Sequence, residues 1–407
     1  MEILPVLVMT LALFVLGVLE NALHQRNVKK IPIRIHVNGT RGKSTTTRLI
    51  AGILRQAGYR VVAKTTGTAA RLIFEDGSED PVKRRRKPSI IEQVRIVAEA
   101  ARRQGDVLVI ECMAVHSEMQ WVSERRILNS TIGVITNARE DHLDVMGPTR
   151  KDVASTLALA IPHKGKLVVG EDEFFDFFKE EAKRLGTTAH LADTFIADSD
   201  MERFPYMMFK ENVACALKVA ELLAVPCNVA WEGMVRATPD LGSTQIYRLE
   251  HAGVNVYFVN ALAANDLTST VLVWERWQDM SEALGLTNTP IVGLLHNRED
   301  RSFRVPELAQ LACSELPIEC LWLTGDLIPV TKRFLKKQGV DLSLVNTLKK
   351  PSPQRIMDHL SRHYKGDVVL FAYGNTQGFG QELADFFTRN GVQVNNDHTS
   401  DGVRASY

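Results

Sequence analysis

The sequence predicts an α/β protein: a central domain with a mostly parallel sheet around a phosphate-binding loop, then a smaller α/β domain. Three observations lead there. Short apolar runs of strand length alternate with longer amphipathic runs, the pattern of parallel strands joined by crossover helices. An alternating run at 33–37 passes directly into Gly39-Thr40-Arg41-Gly42-Lys43-Ser44, and a helical run at 44–57 follows, with Gly58 as its stop. The alternation weakens across 226–249, which holds Pro226, Pro239 and Gly242, and then restarts. The expected divisions are 1–30, an apolar helix with a basic flank; 31–238, the nucleotide-binding domain; and 239–407, the C-terminal domain.

The opening segment differs from the rest. Residues 3–19 carry no charge, and Glu20 precedes a basic stretch with Arg26, Lys29 and Lys30. Seventeen apolar residues reach the short end of the roughly 17–25 that span a bilayer. A signal peptide fits poorly, because the positive charges follow the apolar run and no small-residue cleavage site is evident. A buried core helix is the other alternative, and uniform apolarity so near a terminus disfavours it. The expectation is a single membrane anchor with the catalytic body on the cytoplasmic side, where the basic flank lies.

Beyond the anchor, strands are expected at 60–63, 107–111, 131–136 and 166–169, with helices at 92–104, 151–161 and 212–225. In the C-terminal domain, strands are expected at 254–259, 291–295, 320–323 and 368–373. The net charge of +1 leaves no global field for nucleic acid, so no nucleic-acid partner is expected. Five cysteines without CxxC spacing fit neither a disulfide framework nor a zinc site, and point to a reducing compartment.

Chemistry concentrates in three places. In the loop at 39–44, glycines let backbone amides approach phosphate oxygens, and the following helix start adds positive potential. Lys43 is placed to reach terminal phosphates, and the Ser44 hydroxyl to ligate magnesium. The spacing is GxxGKS rather than the commoner GxxxxGK[ST], since Val37 and Asn38 precede Gly39. The second place is the run 137–144, NAREDHLD, at a strand end, where ligands of parallel sheets bind. His142 between carboxylates reads as a metal ligand, an oriented base, or part of a solvated acidic turn. The third is Glu111, which ends an apolar strand and could be a second magnesium ligand.

Together these runs resemble the Mur ligases and folylpolyglutamate synthetases. They are still more similar to the B subunits of bacterial poly-γ-glutamate (capsule) synthases. That likeness includes the apolar N-terminus, NGTRGKST, KTTGT at 64–68, ECMAV at 111–115, EDHLDVMGPT at 140–149 and AANDLTST at 263–270. The resemblance implies a Mur-ligase-like C-terminal domain that closes over ATP. It implies that Gly39, Thr40, Arg41, Gly42, Lys43, Ser44 and Thr45 bind the phosphates. Ser44, Glu111 and His142 would then surround Mg2+, and Lys43, Glu111 and His142 would form the catalytic set. Asn212 falls where the family contacts adenine, and Asn260 and Asn265 lie in the segment that closes over the nucleotide. Arg298, Asp300 and Arg301 resemble a family segment near the site, with a surface ion-pair cluster as the equal alternative.

The implied function is ATP-dependent, ADP-forming ligation of a glutamyl γ-carboxylate to a glutamate amine, giving a growing poly-γ-glutamate chain beside integral-membrane subunits of the same synthase. A P-loop phosphotransferase and a non-catalytic nucleotide-binding scaffold are the alternatives. Departures from the family touch the grip on nucleotide. Thr156 stands where Mur ligases carry a modified lysine, Asn260 replaces an aspartate, and the run from Pro239 to Gln245 lacks a linker arginine. The roughly thirty residues ahead of the first strand leave no room for a nucleotide-sugar domain, so a murein precursor is not the expected substrate. The basic run 83–87, KRRRK, reads as a track for a polyanion, a headgroup contact or a solvated loop.

Overall fold

The computed structural model describes residues 3–66, 70–84, 88–204, 206–240, 244–264, 267–314, 316–349 and 351–394. The chain forms two compact units, 1–201 with 209–240, and 202–208 with 241–407.

The first unit is built on an eight-stranded sheet. Its strands are β1 (Ile33–Asn38), β2 (Val61–Lys64), β3 (Arg71–Ile73), β4 (Glu79–Pro81), β5 (Val107–Glu111), β6 (Ile132–Ile135), β7 (Lys166–Val169) and β8 (Thr188–Leu191). They lie in the order β4-β3-β2-β5-β1-β6-β7-β8. The run from β2 to β8 is parallel, and β3 and β4 add an antiparallel edge. Every residue of β2, β5 and β6 is buried, as expected of parallel strands covered on both faces. Leu108, Val109 and Val134 in these strands, and Ile35 in β1, are fully buried. On one face, Val28, Ile31, Val62, Val97, Ala100 and Leu128 share a core.

The second unit has seven strands: β9 (Ile246–His251), β10 (Val254–Ala261), β11 (Ile291–Asn297), β12 (Cys320–Gly325), β13 (Val345–Thr347), β14 (Gly366–Gly374) and β15 (Val392–Gln393). Their order is β13-β12-β11-β14-β10-β9-β15, parallel from β13 to β10 with an antiparallel edge of β9 and β15. Phe258 stacks on Phe387 with ring centroids 4.2 Å apart, within a core that also holds Val256, Leu294 and Leu370.

The structure adds elements that sequence periodicity did not reveal. The segment between β2 and the helix Glu92–Arg102, for which no strand was expected, contains β3 and β4. These are three residues each, too short for a period-2 signal. The weakly periodic stretch 226–249 contains the helix Cys227–Val235 and most of β9. That helix packs on the helix Lys43–Gln56 through facing glycines: a Cβ on Gly233 would lie 2.6 Å from the Gly52 carbonyl oxygen. Small residues at such a crossing weaken the hydrophobic pattern that identifies a helix.

At the N-terminus, one helix covers Ile3–Lys29. Within Leu4–Lys29 an 18-residue window has a mean hydropathy of 2.2, with none of that window buried, so the helix is long and apolar enough to cross a membrane. Its last turns do dock, because His24, Val28 and the following Ile31 are buried.

Candidate active site

β1 lies between β5 and β6, so the segments leaving the C-terminal ends of three adjacent strands converge. They are the glycine loop, Glu111 and the run from Thr136 to His142. The loop leaves β1 and enters the helix Lys43–Gln56, whose N-cap is Gly42 in the left-handed region at φ 78°. No side chain caps this helix. The amides of its first turn have no intrahelical acceptor, and such a terminus suits an anion.

Asn137 straps the loop in place. Its Oδ1 accepts from Thr40 Oγ1 at 2.6 Å and from the Arg41 amide at 3.0 Å. Its carbonyl accepts from the Thr40 amide, and Thr136 Oγ1 donates to the Arg41 carbonyl at 2.6 Å. Arg41 also pairs with Asp141 at 2.8 Å. Burial pushes the Asp141 carboxyl up, but Arg41, His142 and Lys43 outweigh it and hold the group below its ordinary value.

Lys43 Nζ donates to the carbonyls of Gly39 at 2.7 Å and Thr40 at 3.1 Å, so its ammonium folds back over the loop. Ser44 Oγ donates to Glu111 Oε2 at 2.7 Å, and the same oxygen accepts from the Thr66 amide at 2.6 Å. Glu111 is 3% exposed, so this carboxylate is fixed rather than solvated. A hydroxyl beside a carboxylate is a hard oxygen pair of the kind magnesium takes alongside water and substrate phosphates. The donor set therefore fits a divalent ion.

Among the described residues no group of three or more His, Cys, Asp and Glu is gathered to hold a metal. His142 stands on the third segment in a left-handed conformation (φ 48°), its Nε2 3.9 Å from Asp141 Oδ1. The structure thus joins Ser44 to Glu111, and places His142 beside Asp141.

Asn212 opens the helix Lys210–Leu222 and packs against the loop. Thr46 Oγ1 lies 3.4 Å from Asn212 Oδ1, and a Cβ on Gly42 would collide with that oxygen. Thr45 is half-buried on the first turn of the loop helix. Thr156 is a satisfied helix residue whose Oγ1 donates to the Met146 carbonyl at 3.2 Å. In the second unit, Asn260 is the penultimate residue of β10, where its Oδ1 accepts from the Leu262 amide at 3.4 Å. Asn265 lies outside the described residues, as do Arg85 to Lys87 and the side chain of Asp300. Arg298 hydrogen-bonds Gln377.

One site neighbour escaped sequence reasoning. Lys64, at the end of β2, is fully buried and pairs with Glu92 Oε1 at 2.8 Å. Burial pushes its ammonium down, against Glu92 and Glu111, which raise it. Arg84 grips the same Glu92 in a bidentate pair, both bonds 2.9 Å, so this member of the basic run is tied to the body. A lysine ending a short apolar run was the available signal.

Residues 37–205 match the family described as Mur ligase middle domain, and residues 246–390 match the poly-gamma-glutamate synthase CapB C-terminal domain. A bifunctional folylpolyglutamate synthase/dihydrofolate synthase from Yersinia pestis, solved with AMPPNP and a Mn ion, shares the fold. Its TM-score is 0.65 at 15% identity, covering 91% of each chain. Fold and loop thus define the class, a Mur-ligase-type α/β enzyme. The chain is 38% identical to the capsule biosynthesis protein CapB of Bacillus anthracis, over 92% of this chain and 81% of that one. It is 36% identical to the PGA synthase CapB of Bacillus subtilis strain 168, over 92% and 94%. The chain belongs to the CapB family of poly-γ-glutamate synthases.

Proposed function

We propose that this chain is an ATP-dependent amide ligase that polymerises glutamate through its γ-carboxylate. The observation that carries the reading is the Ser44–Glu111 oxygen pair, set beside Lys43 on a glycine loop in a chain of the CapB family.

A carboxylate does not condense with an amine at neutral pH, because its leaving group is poor. In the proposed reaction the carboxylate oxygen takes the γ-phosphoryl group of ATP, giving an acyl phosphate and ADP. The amine nitrogen of the next glutamate then attacks the acyl carbon. The carbon–nitrogen bond forms, phosphate leaves with the electron pair of the carbon–oxygen bond, and the amine gives up a proton.

The uncapped amides at Lys43 to Thr45 hold phosphate oxygens. Lys43 exchanges its loop carbonyls for the transferring phosphoryl group, an electrostatic task in which positioning dominates. Ser44, Glu111 and His142 would hold magnesium, which when bound would neutralise phosphate charge. Asn137 keeps the loop in register, and Arg41 holds Asp141 beside His142. Asn212, packed against the loop, completes the nucleotide set in this unit.

The exposed apolar helix is proposed to anchor the protein in the cell membrane, with the body in the cytoplasm beside integral-membrane subunits of the synthase. There the growing polyanion would start near its exit.

The test is full-length protein in membranes with ATP, magnesium and radiolabelled glutamate. ADP release together with a γ-linked labelled polymer is the expected outcome. AMP release excludes the acyl-phosphate route, and a phosphorylated product formed without any amine returns the phosphotransferase reading. Turnover unaffected by Lys43→Ala returns the scaffold.

A further inference from the structure

Behind the phosphate loop lies a buried polar ladder that the chemistry above does not use. It joins β1 to the segment made of the helix Ser117–Val122 and the π-helical turn Ser123–Leu128. Asn38 Nδ2 donates to Gln120 Oε1 at 2.8 Å, and His36 Nδ1 pairs with Glu124 Oε2 at 2.9 Å. His36 and Asn38 are two apart on a strand and share a face, while Gln120 and Glu124 are four apart on a helical segment. The two repeats are nearly equal, about 6.8 Å against about 6 Å, so both rungs form together.

All four side chains are at most 3% exposed. Neither helical partner can shift without stranding buried polar atoms. Gln120 Nε2 donates to the Ala114 carbonyl at 2.8 Å, and Glu124 Oε1 accepts from the amide and hydroxyl of Ser130 at 2.9 Å. The ladder ends in the loop, where Asn38 Oδ1 accepts from the Gly39 amide at 2.9 Å.

The far end of the same segment is held by the N-terminal helix and the chain just after it. His24 Nε2 donates to the Ile127 carbonyl at 2.8 Å, and Gln25 Nε2 to that of Arg126 at 3.3 Å. Arg34 Nε donates to the carbonyls of Leu128 and Asn129. The last carbonyls of a helical segment have no intrahelical donor, and here side chains from residues 24–34 satisfy them.

We infer that Gln120 and Glu124 are positioning residues for nucleotide binding: they set the start of the phosphate loop through Asn38 and His36, from a π-turn clamped by the docked end of the N-terminal helix. This rests on the reading of residues 39–45 as the nucleotide site. The helix then has two parts with separate work, an exposed apolar part and a docked part that braces the loop.

The test uses the full chain in detergent, with ADP binding, the KM for ATP, kcat and thermal unfolding measured together. Gln120→Leu keeps the shape but strands Asn38 Nδ2, and it is expected to weaken ADP binding and raise the ATP KM about tenfold, with a smaller effect on kcat. Glu124→Leu should do the same, and Glu124→Gln, which retains an acceptor for Ser130, should recover most of the loss. Val97→Ala, a core change in the same face, serves as the control: it lowers the melting temperature and leaves KM unchanged. Wild-type affinity in Gln120→Leu, or an equal KM rise in Val97→Ala, overturns the inference. If the wild-type chain binds no ADP, the assignment of the loop itself fails, and the inference with it.

Discussion

Ser44 Oγ donates to Glu111 Oε2 across 2.7 Å, joining the first turn of the loop helix to the end of β5, 67 positions on. The pairing follows from β1 lying beside β5, with Val37 in register with Glu111. The carboxylate has a second fixed partner in the Thr66 amide. Replacing Glu111 with Gln keeps the size and removes the charge. We expect nucleotide binding to persist, the magnesium concentration for half-maximal activity to rise at least tenfold, and kcat to fall on the order of a hundredfold. A magnesium titration of ADP release reads this directly, and an unchanged profile would remove Glu111 from the metal site.

Lys43 is folded onto its own loop carbonyls, so its removal should leave the loop intact. Lys43→Ala is expected to cut ADP formation by about 10²- to 10³-fold, the usual scale for one transition-state charge contact. Circular dichroism and melting temperature should stay near wild type, which separates lost chemistry from lost fold.

Gly42 sits at φ 78°, where an added Cβ is strained and also meets Asn212 Oδ1. Gly42→Ala is therefore expected to cost about 1–3 kcal/mol in stability and to weaken ATP binding. Shortening the neighbour in Gly42→Ala/Asn212→Ala should relieve the collision but not the backbone strain. Partial recovery of the melting temperature in the double variant is the expected result.

His36 gives a pH signature. Burial works against a charged ring, yet the Cys112 sulfur and the Glu124 carboxylate outweigh it and push His36 up to about 10. A group whose pKa rises on folding contributes stability that is complete below its unfolded value near 6.5, and that is lost as pH climbs through the folded value. Thermal stability should therefore decline from about pH 6.5 towards pH 10. Glu124→Gln should flatten that decline. A wild-type slope that survives in this variant would assign the effect to other groups.

Leu11 and Leu16 are exposed on the apolar helix. Changing both to Arg adds roughly 2.5–3.5 kcal/mol per residue to the cost of insertion. The double variant should move from the membrane pellet to the supernatant while keeping ADP binding, because neither residue touches the docked turns near His24 and Val28.

Much of the fold was legible because parallel strands buried on both faces are written as continuous apolar runs. β5 and β7 fall at their expected positions for that reason, and β1, read from its alternation, falls within a residue of its own. β3, β4 and the helix Cys227–Val235 were not legible. Three-residue strands carry no period, and a helix that packs through Gly233 lacks the usual apolar stripe. The basic run at 83–87 looked uniform in sequence, yet Arg84 is committed to Glu92, a residue eight positions on with no marking of its own.

By itself, the sequence determined that a glycine loop with Lys43 and Ser44 follows a strand, that Glu111 ends another and the run holding His142 follows a third, and that an apolar helix precedes them all. These are local facts, expressed in residue type and spacing. Tertiary structure decided which of them meet. Strand order put β5 against β1 and so brought Glu111 to Ser44. It also set Asp141 against Arg41, buried Lys64 next to Glu92, and laid the Gln120–Glu124 segment behind the loop. Strand order and helix docking are set by long-range packing of apolar faces, whose partners no local pattern names.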